Sequence, residues 1–345
     1  MKRALYLDQA PGETRGVVTL DGRPERLLIE RVDDLARQRL GVVVVGRVRR
    51  VDRTLSSLFV DLGEGPDAVL PLSGAAAGLA EGAAIEVEIT AEAHAEKGAV
   101  VRMLAVAEGP PRLARAAPAL TSLLEAFAPG VPIVAGDRAR EAADIAEAAA
   151  LAIEHSLPGG GSIAIEPTRA LVAVDVDLGA GVGDSRRRTR AVNFAALGET
   201  ARLLRLKALA GLVAIDLIGS GHDGAALTAA AKTAFAPDEP GVSIGPISRL
   251  GLMQIVTPRR YRPIRDILCG PDGATRPQTV ALRLLRALER EGRADGGARL
   301  IGECAPDVAA AAAPYMSLLT DRLGVRFEIL SNVASPSDRF EVTAR

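Results

Sequence analysis

The chain has few of the residues that usually announce a chemistry. Its 345 residues include two cysteines, three histidines, no tryptophan and only 3% aromatics. Cys269 and Cys304 lie far apart and outside any Cys-x-x-Cys pattern. That spacing excludes a disulfide framework and a complete zinc site within one chain. No apolar run approaches the roughly 20 residues that cross a bilayer. The start, MKRALYLDQAPG, loses its apolar run at Asp8, so no signal peptide is expected and a cytosolic protein is. With so few rings, the core must rest on Ala, Val and Leu. A hydrophobic content of 48% is enough for that and argues against disorder. Only four lysines occur (Lys2, Lys97, Lys207 and Lys232), so nearly all positive charge is arginine. Arginine suits bidentate phosphate contacts, although a base-composition bias gives the same count. The net charge of −1 speaks against indiscriminate polyanion binding and turns attention to local patches.

One such patch lies between two acidic strands. Leu171-Val172-Ala173-Val174-Asp175-Val176-Asp177 and Leu212-Val213-Ala214-Ile215-Asp216 are short β-branched runs that end on acids. Asp is a poor residue for a buried strand and needs a partner there. Asp175, Asp177 and Asp216 are therefore candidates to share one divalent ion, magnesium or manganese by the hardness of their oxygens. Between them stand Arg186, Arg187, Arg188, Arg190, Arg202, Arg205 and Lys207 against Asp184 and Glu199, a net of +5. An acidic metal site in a basic surround suits phosphodiester chemistry. Each part also fits a plainer role, since Asp caps turns and arginines line solvated helices. Spacing alone does not choose between them.

The rest of the chain alternates in character. Residues 1–39 read as two or three strands and a short basic helix, with a hairpin at Asp21-Gly22. Residues 40–106 are short strands at OB-fold spacing. Pro110-Pro111 marks a boundary, and 112–156 has helical spacing broken near Pro129 and Pro132. From Ser162 strand and helix alternate, with a helix expected over 189–209. After the Gly270-Pro271-Asp272-Gly273 linker, 277–345 reads as a small α/β unit. His155 and His222 read as surface or loop residues, and His222-Asp223 falls close after the second acidic strand.

Several ordered motifs together resemble the ribonuclease E/G family. They are Gly160-Gly161 through Asp175-Val176-Asp177-Leu178-Gly179, then Asn193, then Arg202-Leu203-Leu204-Arg205-Leu206-Lys207. Gly211 to Asp216, Ser248-Arg249-Leu250-Gly251-Leu252-Met253-Gln254 and Arg259-Arg260-Tyr261-Arg262-Pro263 follow. The resemblance implies an α+β multidomain fold. An RNase H-like subdomain (1–39 and 107–158, without the family's 5′-sensor) would hold an inserted OB-fold RNA-binding barrel (40–106). A DNase I-like α/β catalytic subdomain (159–268), a linker (269–276) and a small C-terminal domain (277–345) would follow. It also implies a metal-dependent endoribonuclease acting on single-stranded RNA and leaving 5′-phosphate and 3′-hydroxyl ends. By position, Asp175 and Asp216 fall on the metal-binding aspartates, and Asp177 on a family Asn. Phe59 and Lys97 fall where the barrel stacks a base and holds a phosphate. Arg186, Arg187, Arg188, Arg202, Arg205, Lys207, Arg249, Arg259, Arg260 and Arg262 complete the expected RNA contacts.

The chain departs from the pattern in ways that bear on activity. The family's second aromatic on the barrel is Val69 here, and its Cys-Pro-x-Cys zinc link is reduced to Cys269-Gly270-Pro271-Asp272. Any homo-oligomer is therefore expected to form without a zinc link. Gly219 and Ala195 stand where the family has acids. A non-catalytic RNA-binding protein is the competing expectation, and a scaffold subunit is a third.

Overall fold

The computed structural model describes residues 2–94, 97–180, 185–219, 223–238 and 240–345. The N-terminal part is a four-stranded sheet. Its strands Arg3–Ala10, Glu13–Leu20 and Arg23–Arg31 form a meander, and Ile133–Val134 adds in parallel beside Arg3–Ala10. The hairpin expected at Asp21-Gly22 is present, with both residues at positive φ.

Residues 43–106 form a closed five-stranded barrel. Its strands are Val43–Asp52, Ser57–Asp61, Ala68–Pro71, Ala84–Ala91 and Val100–Val106, and the first strand pairs with both the second and the fourth, which closes the ring. Alternate residues point inward: Val44, Val48, Leu58, Val60, Ile85, Val87 and Ile89 make a dry interior. This is the closure expected from the strand spacing. Proline did not end the barrel as expected, because Arg112–Arg115 returns as a further strand beside Val43–Val45.

The acids sit on a six-stranded sheet. Its order is Glu154–Ser156, Ser162–Pro167, Val172–Asp177, Gly211–Asp216, Leu252–Thr257 and Ser243–Ile244. One face is covered. Val172, Val174, Val176, Val213, Ile215, Met253 and Ile255 pack against Ala196, Leu197, Leu203 and Leu204 of the helix Ser185–Lys207. The same core takes in Ala143 and Ala146 of the helix Asp137–Leu151 and Val17, Leu27 and Ile29 of the N-terminal sheet. The two helices thus lie between two sheets, and the other face of the larger sheet meets solvent.

The tail is a separate small core. Pro277–Ala294 buries Val280, Leu284, Leu285 and Leu288 against a sheet of Phe327–Ser331, Leu300–Cys304 and Phe340–Ala344. It docks on the rest of the chain through buried charge. Arg286 reaches Asp8 at 2.7 Å, and Arg140 meets Glu289 at 3.2 Å. Arg15, almost fully buried, is held between Glu13 and Glu147. Charges this deep are tolerable only when paired.

Candidate active site

Asp175 and Asp216 are direct register partners on adjacent parallel strands. The second strand ends at Asp216 and the first runs on two residues past Asp175, so two carboxylates stand side by side near the carboxyl edge of the sheet. Parallel neighbours lie about 4.8 Å apart. Both residues are exposed, whereas Val174, Val176 and Ile215 beside them are buried. The period of two therefore puts the acids on the open face and the aliphatics on the helix face. The carboxyl edge is where open α/β sheets place their ligands.

Asp177 shares that face but stands one step further along, beyond the last residue of its neighbouring strand. Its Oδ1 accepts the Gly179 N–H at 2.6 Å, a turn role. Among the described residues, no group of three or more His, Cys, Asp and Glu side chains is gathered to hold a metal. Of the three expected acids, Asp175 and Asp216 are the two that stand side by side in register. Two exposed carboxylates still suit a hard ion that keeps several waters, as magnesium does.

Loops converge on this edge for sequence reasons. Gly161 has φ +82, and a Cβ there would sit 2.5 Å from the Asp177 carbonyl oxygen, so only glycine lets the two segments close up. The loop after Asp216 is fixed by Asn193, which is 2% exposed. Its Nδ2 donates to the Ile218 carbonyl and its Oδ1 accepts the Ile218 N–H, both at 3.0 Å. Gly219 follows at φ +85, so this position, where the resemblance led one to expect an acid, carries no side chain. Ala195 is half-buried against the core. His222 and Asp184 lie outside the described residues. Asp223 caps the helix Gly224–Phe235 through the Ala226 N–H and meets Arg190 at 3.4 Å.

The basic residues divide into two groups. Arg186 and Arg187 are exposed in the first turn of Ser185–Lys207. Arg188 donates to the Leu178 and Gly179 carbonyls at 3.4 Å. Arg249 is exposed on the turn that joins the Asp216 strand through the Gly251 carbonyl and the Leu217 N–H. The other half of the helix corrects the expectation. Arg202 is 8% exposed, pairs with Glu199 and donates to the Pro24 carbonyl. Arg205 bridges Glu25 at 3.2 Å and Asp238 at 2.7 Å. Lys207 is 5% exposed and donates to the carbonyls of Ala149, Ala150 and Ala152, which caps the end of another helix. Burial pushes its amine down to about 8. These three cations are engaged by partners within the protein and hold the layers together.

Arg259, Arg260 and Arg262 lie at the opposite end of the sheet, since Thr257 pairs with Gly211 and Leu252 with Asp216. Arg262 meets Asp34 at 3.2 Å, and its N–H donates to Glu92 of the barrel. On the barrel, Phe59 is not a core residue. It lies between the inward Leu58 and Val60 and faces out, with the Arg50 guanidinium 4.1 Å from its ring centroid. Val69 is its direct cross-strand neighbour. Lys97 is exposed and bridges His94 through backbone bonds.

Residues 91–260 match the Ribonuclease E/G family. The match spans both acidic strands and the intervening helix. The chain is 33% identical over 149 residues to Ribonuclease E of Haemophilus influenzae, covering 40% of this chain and 16% of that protein. It is 27% identical over 207 residues to Ribonuclease G of Escherichia coli, covering 56% and 41%. A chloroplastic Ribonuclease E/G-like protein of Arabidopsis thaliana is 36% identical over 113 residues, covering 31% and 11%. The chain spans less than half the length of each of these relatives. Cys269 is buried, and burial pushes its thiol up.

Proposed function

We propose that the chain is an endoribonuclease that hydrolyses single-stranded RNA at the Asp175–Asp216 edge, leaving 5′-phosphate and 3′-hydroxyl ends. The register pairing of these two acids supports the reading most directly. Asp175 and Asp216 would hold magnesium or manganese, which when bound supplies a more acidic water and charge stabilisation at the phosphate. Asp177 would accept a hydrogen bond from water at the rim while its Oδ1 keeps the Gly179 turn. Arg186, Arg187 and Arg249 would place phosphates on either side of the scissile bond, helped by the positive end of the helix Ser185–Lys207. Asn193 would set the Ile218 loop, and through it the Asp216 carboxylate. Phe59 with Arg50 would stack a base on the barrel, and Lys97 would hold a phosphate nearby.

The segment 107–158 is short, so cleavage is proposed to be independent of the RNA 5′ end. A second reading, RNA binding without cleavage, is favoured by Gly219, which leaves the edge with one acid fewer. Incubating a labelled A/U-rich single strand with magnesium, manganese or EDTA separates the two. Metal-dependent fragments bearing 5′-phosphates support hydrolysis. Retention of intact RNA in both metals leaves the binding reading, and cyclic-phosphate ends overturn the proposed chemistry.

A further inference from the structure

Two cavities lie side by side at the far end of the six-stranded sheet, away from Asp175 and Asp216. The larger, about 220 Å³, has Arg26, Arg205, Asp238, Thr257, Arg260 and Tyr261 among its walls. The smaller, about 140 Å³, shares Leu40, Ala208 and Tyr261 with it and runs on toward Leu27, Leu28 and Gln38.

Among the described residues, the walls of the larger cavity carry three arginines and one carboxylate, Asp238. Arg26 and Arg205 both converge on Asp238, at 3.3 and 2.7 Å. Arg205 also meets Glu25, but Arg3 claims that carboxylate at 3.0 Å. Arg260 adds a further guanidinium at the wall. Among the described residues, Arg26, Arg205 and Arg260 thus line the cavity with Asp238, while Glu25, behind the wall, is shared by Arg3 and Arg205. Burial, reinforced by Arg205, pushes the Arg26 guanidinium below its ordinary value despite Asp238. Like charges held this close in a poorly solvated place call for an anion. Thr257 adds a directed group: it is 8% exposed, and its Oγ1 has no partner. A buried hydroxyl without a hydrogen bond is costly, so an occupant that pairs with it gains.

The smaller cavity asks for something else. Its acids are already engaged: Glu30 with Arg39, Asp34 with Arg262, and Glu92 with the Leu40 and Arg262 N–H groups. Gln38 is 7% exposed and spends its Nε2 on the Glu64 and Pro66 carbonyls, but its Oε1 has no partner. An apolar cavity with one unmet acceptor suits a flat ring that carries an N–H donor. Tyr261 lies between the two spaces.

We propose that this paired cleft binds a nucleotide, its phosphate against Arg26, Arg205, Thr257 and Arg260 and its base beside Gln38. The proposal does not depend on the cleavage reading, because none of these groups lies at the acidic edge. The nucleotide could be supplied free or as one unit of an RNA strand, since both present the same phosphate and base.

Isothermal titration of the full chain with AMP, ribose 5-phosphate and adenosine tests the cleft. AMP is expected to bind at least tenfold more tightly than either fragment. Thr257→Val, which keeps the side-chain shape, and the surface change Arg260→Ala are each expected to weaken AMP several-fold and leave adenosine unchanged. Asp175→Asn is expected to bind AMP as the unaltered chain does, which separates this site from the acidic edge. Competition with oligoadenylate then identifies the source: displacement of AMP points to a strand, and retention points to a free nucleotide. Absence of AMP binding, or AMP binding untouched by both Thr257→Val and Arg260→Ala, would overturn the proposal.

Discussion

Asn193 grips Ile218 through two hydrogen bonds of 3.0 Å, one in each direction across the amide. Ile218 lies two residues beyond Asp216, so the buried Asn on the long helix fixes the loop that leaves the acidic edge. Replacing it with Leu removes both bonds and strands a partly buried N–H and carbonyl. The expected loss is about 1–3 kcal/mol in stability. RNA cleavage is expected to fall further than stability alone explains, with RNA affinity preserved. Denaturant unfolding beside single-turnover cleavage checks this, and an Asn193→Leu chain that cuts normally would remove the positioning role.

The two halves of the basic helix make opposite predictions. Arg186→Ala with Arg187→Ala is expected to weaken single-strand binding and reduce its salt dependence, by about 0.7 in log–log slope for each phosphate that is no longer neutralised. Stability should move by less than about 1 kcal/mol, because whatever contacts exposed arginines make are worth little. Arg202→Ala should do the reverse. It leaves Glu199 buried with only the half-exposed Arg23 at 2.6 Å, and losing one member of a buried pair costs about 3–5 kcal/mol. Titrating RNA at several salt concentrations, with thermal unfolding alongside, distinguishes the two classes.

The C-terminal unit is tied to the N-terminal sheet by buried ions, with Arg286 on Asp8 and Glu289 between Arg140, Arg293 and Arg322. Arg286→Met should therefore destabilise the whole chain by a few kcal/mol, since Asp8 would lose its closest partner. Loss of a single cooperative transition in calorimetry, with the tail melting first, is the expected sign. An unchanged melting profile would show that the docking rests on apolar packing instead.

His155 gives a pH signature. Burial and the neighbouring Lys207 push its imidazole from 6.5 down to about 4. A folded value below the unfolded one means that the unfolded chain binds the proton first. The stability from neutral His155 is therefore complete above pH 6.5 and is lost as the pH falls from 6.5 toward 4. Comparing the unaltered chain with His155→Asn in urea across this range should show the difference shrinking as acid is added. A difference constant with pH would contradict the assignment.

Much of this was legible in the residues. Alternation in Val172 to Asp177 and Leu212 to Asp216 placed acids on one face because a strand has a period of two, and the parallel pairing follows from the helix between them. The barrel was readable from evenly spaced short strands. Arg112–Arg115 was not, since Pro110-Pro111 reads as an end while the pairing that extends the barrel is non-local. The basic helix misled for a related reason. Charge composition does not reveal which face of a helix lies between two sheets, and Arg202, Arg205 and Lys207 point into that layer. Their spacing among Leu203, Leu204 and Leu206 was the available signal. Asp177 likewise shares the acids' face, but its Oδ1 is drawn into a turn that sequence spacing could not show.

The most direct test of the central claim compares cleavage and binding of one labelled single strand by the unaltered chain, Asp175→Asn and Asp216→Asn, in magnesium and in manganese. The account predicts metal-dependent cutting that either substitution abolishes, with RNA affinity within about threefold of the original because the arginines carry it. Cutting that persists in both variants, or affinity that falls in step with cleavage, would contradict a catalytic edge built on this pair of acids.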